Sequence, residues 1–458
     1  MELIDNLALG FGVAFTFQNL IYAFVGCLLG TLIGVLPGIG PLATIAMLLP
    51  ATYGLPPVAA LIMLAGIYYG AQYGGSTTAI LVNLPGESSS VVTVIDGYQM
   101  ARKGRAGPAL AASGLGSFFA GCVGTLVIAA FAPPLTEVAL SFGPSEYFAL
   151  MVLGLIGAVV LASGSLIKAL AMIVLGLLIG LVGTDVNSGV ARFSFDIPEL
   201  TDGISFVAIA MGVFGYGEII NNLSHGDSKR DVFSGKVSGL MPTKEDFKRM
   251  VPAVLRGTAL GSILGVLPGG GALLSSFAAY TVEKKLAGQD GQFGNGDIRG
   301  VAGPEAANNA GAQTSFIPLL TLGIAGEALS ALLLGVFTLN GIYPGPLLLI
   351  KEPVLISTLY WSMLLINLVS FAVLAIWLRP FALIVKVPKE IIAVGVIALS
   401  MVGIYAVNTR FFDCGVALAA GVVGYILLRL GWPLVALVMG VVIGPIIENR
   451  LRETLSLG

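Results

Sequence analysis

Long apolar runs separated by short polar segments dominate the chain. No Asp, Glu, Lys or Arg occurs between positions 6 and 86. Further uncharged runs cover 106–136, 147–167, 169–184, 257–282, 328–350, 354–378, 391–409, 414–428 and 430–447, and 204–222 is a further return that carries one charge, Glu218. A membrane pass needs about 20 apolar residues, so the pattern predicts an all-α polytopic membrane protein with about 10–12 passes. Residues 1–19 are weakly amphipathic and fit an interfacial segment.

Within this pattern one stretch occurs twice. Positions 26–40 read GCLLGTLIGVLPGIG, and positions 257–271 read GTALGSILGVLPGGG, an offset of 231 residues. Glycine every fourth residue leaves a flat helix face on which another backbone can pack closely. The Leu-Pro-Gly that follows ends the helix, because proline removes a donor and disfavours helical geometry in the residue before it. Each copy therefore predicts an apolar helix broken inside the membrane, with tips at 37–41 and 268–271. Broken backbone is tolerated at that depth only against protein or a water-filled cavity. Two corresponding breaks in two halves point to a transporter's substrate site.

A second pair of matches follows. Gly70-Ala71-Gln72 corresponds to Gly311-Ala312-Gln313, and Gly86-Glu87 to Gly326-Glu327, in two glycine- and hydroxyl-rich zones expected to be irregular, 70–90 and 303–327. The resulting division is a first repeat half at 1–108, four connecting spans at 109–223 and a loop at 224–256. A second repeat half at 257–350 and C-terminal spans at 351–458 complete it. Lys and Arg concentrate in the segments 98–108, 224–256 and 283–303. Such excess marks cytoplasmic loops. The uncharged turn at 50–57 then faces outward, which predicts inverted repeats whose two hairpin tips meet near the midplane.

Composition sharpens this picture. The 458 residues are 56% hydrophobic and 10% charged, against about a quarter charged in soluble domains. The net charge of −2 resides in loops and forms no basic stripe for nucleic acid. Cys27, Cys122 and Cys414 have neither metal-ligand nor disulfide spacing. The N-terminus MELID lacks the basic segment of a cleaved signal peptide. No histidine pair and no phosphate-loop lysine motif occurs. An intramembrane hydrolase built on Gly-Gly-Ser-Thr-Thr lacks a histidine to activate it. The reading is therefore not an enzyme, with no cofactor.

A broken helix offers free N–H groups to anions and free carbonyls to cations. Candidate substrate contacts are Gly38, Gly40, Ser76, Thr77, Thr78, Ser88, Ser89 and Ser90 in the first copy, and Gly270, Gln313, Thr314 and Ser315 in the second. Candidate cation contacts are Pro37, Asn83, Glu87, Pro268, Gly269, Asn308 and Asn309, with Na+ at the tips one occupant. Plainer roles stand beside these. The glycine stripes pack helices, the Ser88–Ser90 run caps a helix after Pro85-Gly86, and Glu87 and Glu327 satisfy helix dipoles. Glu305 is expected at a solvated loop edge, and Lys168, Arg410 and Arg429 at snorkelling span ends.

The motifs GVLPGIGPLATIAMLLP, YYGAQYGGSTTAILVNLPGESSS, IDGYQMARKGRAGPAL and GPEAANNAGAQTSFIPLLTLGI resemble the large membrane subunit of the bacterial tripartite tricarboxylate transporters. The resemblance runs from about Leu7 to Pro445, and Ala325 departs from it where the pattern has proline. It implies an elevator-type, binding-protein-dependent carrier in the bacterial inner membrane. Such a carrier imports a carboxylate such as citrate, driven by Na+ or H+. It also implies two partners, a small four-helix membrane subunit and a periplasmic solute-binding protein. A stand-alone exchanger or uniporter and a non-transporting membrane scaffold are the alternatives.

Overall fold

The computed structural model describes residues 2–36, 41–52, 54–83, 85–161, 165–185, 188–224, 239, 241–267, 271–325, 328–384 and 389–457. The first part of the chain forms α1 (Glu2–Ala14), α2 (Phe17–Gly34), α3 (Pro41–Thr52), α4 (Pro57–Val82), α5 (Val91–Arg102) and α6 (Ala106–Leu140). A single 3-10 turn, Ser88–Ser90, precedes α5. Then come α7 (Pro144–Leu161), α8 (Leu166–Gly180), α9 (Pro198–Thr201), α10 (Phe206–Ala210) and α11 (Gly217–Ser224), the last two joined by one π-helical stretch. The second part forms α12 (Lys244–Val266), α13 (Gly271–Ala287), α14 (Arg299–Thr314), α15 (Phe316–Leu322), α16 (Ala328–Leu339) and α17 (Pro346–Lys351). It ends with α18 (Pro353–Ile384), α19 (Lys389–Asn408), α20 (Phe411–Arg429) and α21 (Leu434–Leu457). The strand content among the described residues is one two-residue ladder, Gly183–Thr184 with Ala191–Arg192.

Five helices among the described residues are long and apolar enough to cross a membrane: Phe17–Gly34, Ala106–Leu140, Pro353–Trp377, Phe411–Arg429 and Leu434–Ser456. This is fewer than the run count predicts, because several apolar runs fold as shorter helices, among them Leu166–Gly180 and Leu329–Leu339.

The glycine stripes decide how each repeat packs. A Cβ at Gly26, Gly30 or Gly34 of α2 would lie 2.4, 2.2 or 2.4 Å from the carbonyl oxygens of Met63, Ile67 and Ala71 on α4. The second copy repeats this contact. Gly257, Gly261 and Gly265 of α12 meet the carbonyls of Gly303, Ala307 and Gly311 on α14 at 2.2, 2.3 and 2.3 Å. Numbering rises together on both partners, so α2 runs parallel to α4 and α12 to α14. The intervening α3 and α13 must return, which makes α2–α3 and α12–α13 hairpins.

These contacts also correct the repeat register. Met63, Ile67 and Ala71 play the parts of Gly303, Ala307 and Gly311, one residue from the Gly-Ala-Gln letter match. The corrected register holds to the ends of the helices. Asn83 caps α4 in the left-handed conformation at φ 59°, and Gly323 caps α15 there at φ 66°.

The two expected irregular zones are largely helical, with Asn83, 85–87 and 323–325 remaining outside helices. The first continues as α4 to Val82, and the second forms α14 and α15, interrupted only at Ser315. Glycines there serve packing, since a Cβ at Gly70 or Gly74 would lie 2.4 or 2.6 Å from the carbonyl oxygen of Cys27 or Thr31. The Thr77 hydroxyl satisfies itself on the Tyr73 carbonyl of the preceding turn, and the Ser76 hydroxyl has the Gln72 carbonyl within reach. The predicted loop 224–256 also ends early. Thr243 accepts from the Asp246 N–H while Asp246 accepts from the Thr243 N–H, and this capping box starts α12 at Lys244.

The three Lys/Arg-rich segments converge at one end of the molecule. Arg105 pairs with Asp246, and Lys103 donates to the Asn295 carbonyl. Asp96 of α5, fully buried, ties the first copy to the second. Its Oδ1 accepts the backbone N–H groups of Gly294, Gly296 and Asp297 at 2.8, 2.8 and 3.0 Å, and its Oδ2 accepts from the Tyr280 hydroxyl at 2.9 Å. Positive φ at Gly294 (84°) and Gly296 (95°) lets successive N–H groups aim at one oxygen.

Two outcomes follow for stability in detergent. Gly30→Ala and Gly261→Ala, which force a methyl onto a carbonyl, are each expected to cost about 1–3 kcal/mol. Gly12→Ala, with nothing within 4 Å of the new carbon, leaves the melting temperature unchanged. Asp96→Asn removes a charge-assisted acceptor from the nest and is expected to cost about 1.5–3 kcal/mol in the same melt.

Candidate functional site

The helices that follow the hairpin in each copy, α4 and α14, meet face to face. The Tyr69 hydroxyl of α4 donates to Gln313 Oε1 of α14, and the Ser76 hydroxyl donates to Glu305 Oε2 at 2.5 Å. Numbering rises on one helix as it falls on the other, so the equivalent helices are antiparallel. Ala71 and Gly311, equivalent residues, lie between those two contacts. They are also the residues on which Gly34 and Gly265 pack, one turn or less before each break. The described residues on the near flank of both tips are thus anchored at the centre of this pair.

The α6 helix lines the other side of α14, running parallel to it in a regular ladder. Ser113 donates to Glu305 at 3.2 Å, Asn309 Nδ2 to Ser117 at 2.7 Å, and Gln313 Nε2 to the Gly121 carbonyl and to Thr125, each at 3.1 Å. The spacing is four residues on both helices, so one polar stripe of α14 faces one hydroxyl-and-glycine stripe of α6. Gly124, where a Cβ would lie 2.7 Å from that of Gln313, lets the helices close.

Glu305 corrects the sequence expectation. It lies inside α14, every residue of 300–314 is buried, and Glu305 itself is 1% exposed. The loop edge moved because α14 begins at Arg299 and carries Pro304 within its second turn. Glu305 accepts from Ser76, Thr93 and Ser113, all neutral hydroxyls. Among the described residues no cationic side chain pairs with it. An isolated buried charge costs several kcal/mol even after relaxation.

Three further polar atoms in this region are buried without a partner: Gln72 Oε1, Tyr73 Oη and Asn308 Oδ1. Their residues are 1%, 2% and 1% exposed. Buried polar atoms are nearly always hydrogen-bonded, so these three exceptions are candidates to contact a polar guest. Gln72 and Tyr73 lie one helical turn before Ser76, and Asn308 one turn after Glu305.

The other predicted residues divide. Asn308 Nδ2 donates to Glu87 Oε1 at 2.8 Å, joining the 3-10 turn of the first copy to α14 of the second. Ser90 donates to the Glu87 carbonyl at 2.9 Å, a capping contact. Ser89 is 4% exposed. Thr78 donates to the Val35 carbonyl at 2.7 Å and so ties off the end of α2. Thr314 and Ser315 donate to the carbonyls of Ala310 and Ala312. Asn83 is exposed at its cap. Pro37, Gly38, Gly40, Pro268, Gly269, Gly270 and Glu327 lie outside the described residues, as does the side chain of Ser88.

Sequence reasoning missed Glu305, Tyr69, Gln72, Tyr73, Thr93, Ser113 and Ser117. The available signal was the matched spacing of Glu305-Asn309-Gln313 and Ser113-Ser117-Gly121-Thr125.

The family described as the tripartite tricarboxylate transporter TctA family matches residues 20–439. The chain is 54% identical over 459 residues to the uncharacterized 52.8 kDa protein in the TAR-I ttuC' 3' region of Agrobacterium vitis, covering 99% of this chain and 90% of that protein. It is 41% identical over 199 residues to the uncharacterized protein in the TAR-II ttuC' 3' region of the same organism, covering 43% of this chain and 81% of the relative. No solved structure matches it. A match over most of its length, from within α2 to within α21, establishes that this chain belongs to the tripartite tricarboxylate transporter TctA family.

Proposed function

We propose that the chain is the transporting subunit of a carrier that imports an organic carboxylate, such as citrate, across the bacterial inner membrane. A cation gradient of Na+ or H+ drives uptake, and a periplasmic solute-binding protein delivers the substrate. A small four-helix membrane protein completes the complex. The observation that carries this reading is the buried polar interface between the antiparallel α4 and α14, with three polar atoms lacking partners beside it. A permanent structural network would satisfy its own members, whereas a transport site leaves groups free for a guest. The family is one of transporters, which agrees with the lack of an enzyme constellation in the sequence.

The two hairpins and the helices they pack on move together as an elevator past the remaining spans. The end gathering Arg105, Lys103 and Asp246 faces the cytoplasm.

Proteoliposomes holding the chain with both partners should accumulate [14C]citrate when a Na+ or proton gradient is imposed. ATP should have no effect. Ser76→Ala and Asn309→Ala should each lower the initial rate at least tenfold at unchanged protein content. Uptake by both variants at the wild-type rate would remove the interface from the mechanism. Topology has its own check: in a cysteine-free background, Leu55→Cys and Asn295→Cys should react with an impermeant maleimide from opposite faces of the membrane. Labelling from one face would refute inverted halves.

A further inference from the structure

We propose that Glu305, with the hydroxyl oxygens of Ser76, Thr93 and Ser113, is the seat of the coupling ion and holds a single Na+. This rests on the reading of the chain as a cation-driven carboxylate carrier, and it moves the ion from the hairpin tips to the α4–α14 interface.

Charge comes first. Glu305 is a buried carboxylate whose contacts are neutral hydroxyls. Among the described residues no three His, Cys, Asp or Glu side chains converge. Glu305 brings the one carboxylate that these hydroxyls bond, and a monovalent cation cancels its charge, while the Glu87 carboxylate is held by Asn308 Nδ2 one turn along α14. Ligand type comes second. Every group touching the carboxylate is an oxygen, the donor that hard cations prefer. The amide nitrogen of Asn309 turns away to Ser117 and to the Glu305 backbone carbonyl.

The third argument concerns the hydroxyl proton. Ser76 has one hydrogen and two acceptors within reach, Glu305 Oε2 at 2.5 Å and the Gln72 carbonyl at 3.2 Å. When a cation enters, the hydroxyl can donate to its own helix and present a lone pair to the ion. The serine thereby keeps one hydrogen bond in either state.

Placement supplies the link to transport. The four oxygen-bearing residues come from α4, α5, α6 and α14, so the ion bridges the two copies. Gln72, Tyr73 and Asn308, each with one partnerless polar atom, lie within one helical turn of Ser76 or Glu305. An unneutralised Glu305 repels an incoming carboxylate, and a bound Na+ removes that repulsion. The same linkage makes substrate hold the ion. Coupling then follows from electrostatics at one residue.

The test uses the whole 458-residue chain in detergent and 22Na+ alone. The wild type should bind 22Na+ saturably, at about one per chain, displaced by unlabelled Na+ and not by choline. Glu305→Gln should weaken binding at least tenfold, and Glu305→Asp should recover part of it. Thr93→Val and Ser113→Ala should each weaken it at least threefold while eluting as the wild type does on size exclusion. These two variants decide the matter if Glu305→Gln fails to fold. Wild-type affinity in Glu305→Gln or in both hydroxyl variants overturns the seat, as does absence of saturable binding in the wild type. Proton-driven citrate uptake by a chain that binds no 22Na+ would sink the Na+ seat alone. Absence of citrate uptake under any gradient would instead sink the carrier reading.

Discussion

Backbone-to-backbone contact along the glycine stripes is the constraint from which the rest of the molecule follows. At Gly30 and Gly261 the facing carbonyl occupies the space of a Cβ, so no other residue fits without moving a helix. Dispersion and close approach hold such pairs where lipid provides no hydrophobic drive. This binds each hairpin arm to its partner helix through one face only. The opposite face of α4 and of α14 is left to meet its counterpart, and that is where the polar residues are.

The consequence is an inverted burial pattern. A helix buried on all sides is normally apolar all round, yet α14 carries Glu305, Asn308, Asn309, Gln313 and Thr314 with every residue from 300 to 314 buried. Such a helix is tolerable only if nearly every polar group finds a partner, because unpaired buried groups cost about 1–3 kcal/mol each. The α6 ladder supplies most of them, from Ser113 through Ser117 and Gly121 to Thr125. The exceptions at Gln72, Tyr73 and Asn308 are then expensive in proportion.

The repeat, the stripes and the helix-ending tips were legible in the sequence because each rests on a local rule. Glycine at every fourth position and Leu-Pro-Gly after it need no tertiary information. What misled was the same glycine and hydroxyl chemistry one helix later. At Gly70, Gly74, Ser76 and Thr77 these residue types suggest irregular backbone, but close packing absorbs the glycines and the preceding turn offers the hydroxyls an acceptor. Glu305 was misplaced for a related reason. It follows Gly303-Pro304 at the margin of a charged loop, and nothing local says that α14 has already begun at Arg299. Its partners on α5 and α6 are about 190–210 residues away, beyond any pattern read along the chain.

The corrected register exposes one more feature of the pair. The backbone of the two copies is equivalent, cap for cap at Asn83 and Gly323, but the chemistry is not. The counterparts of Glu305, Asn308, Asn309 and Gln313 in α4 are Ala65, Tyr68, Tyr69 and Tyr73. Inverted halves can exchange conformations to open a site to either side of a membrane. That exchange requires alike backbones and places no demand on side chains. A carboxylate on α4 opposite Glu305 would set two like charges against each other at short range, where their repulsion is steep, and the first copy's Glu87 instead lies beyond α4 on Asn308 Nδ2. Of the two facing helices only α14 carries a carboxylate, and α4 sets the uncharged hydroxyls of Tyr69 and Ser76 opposite it.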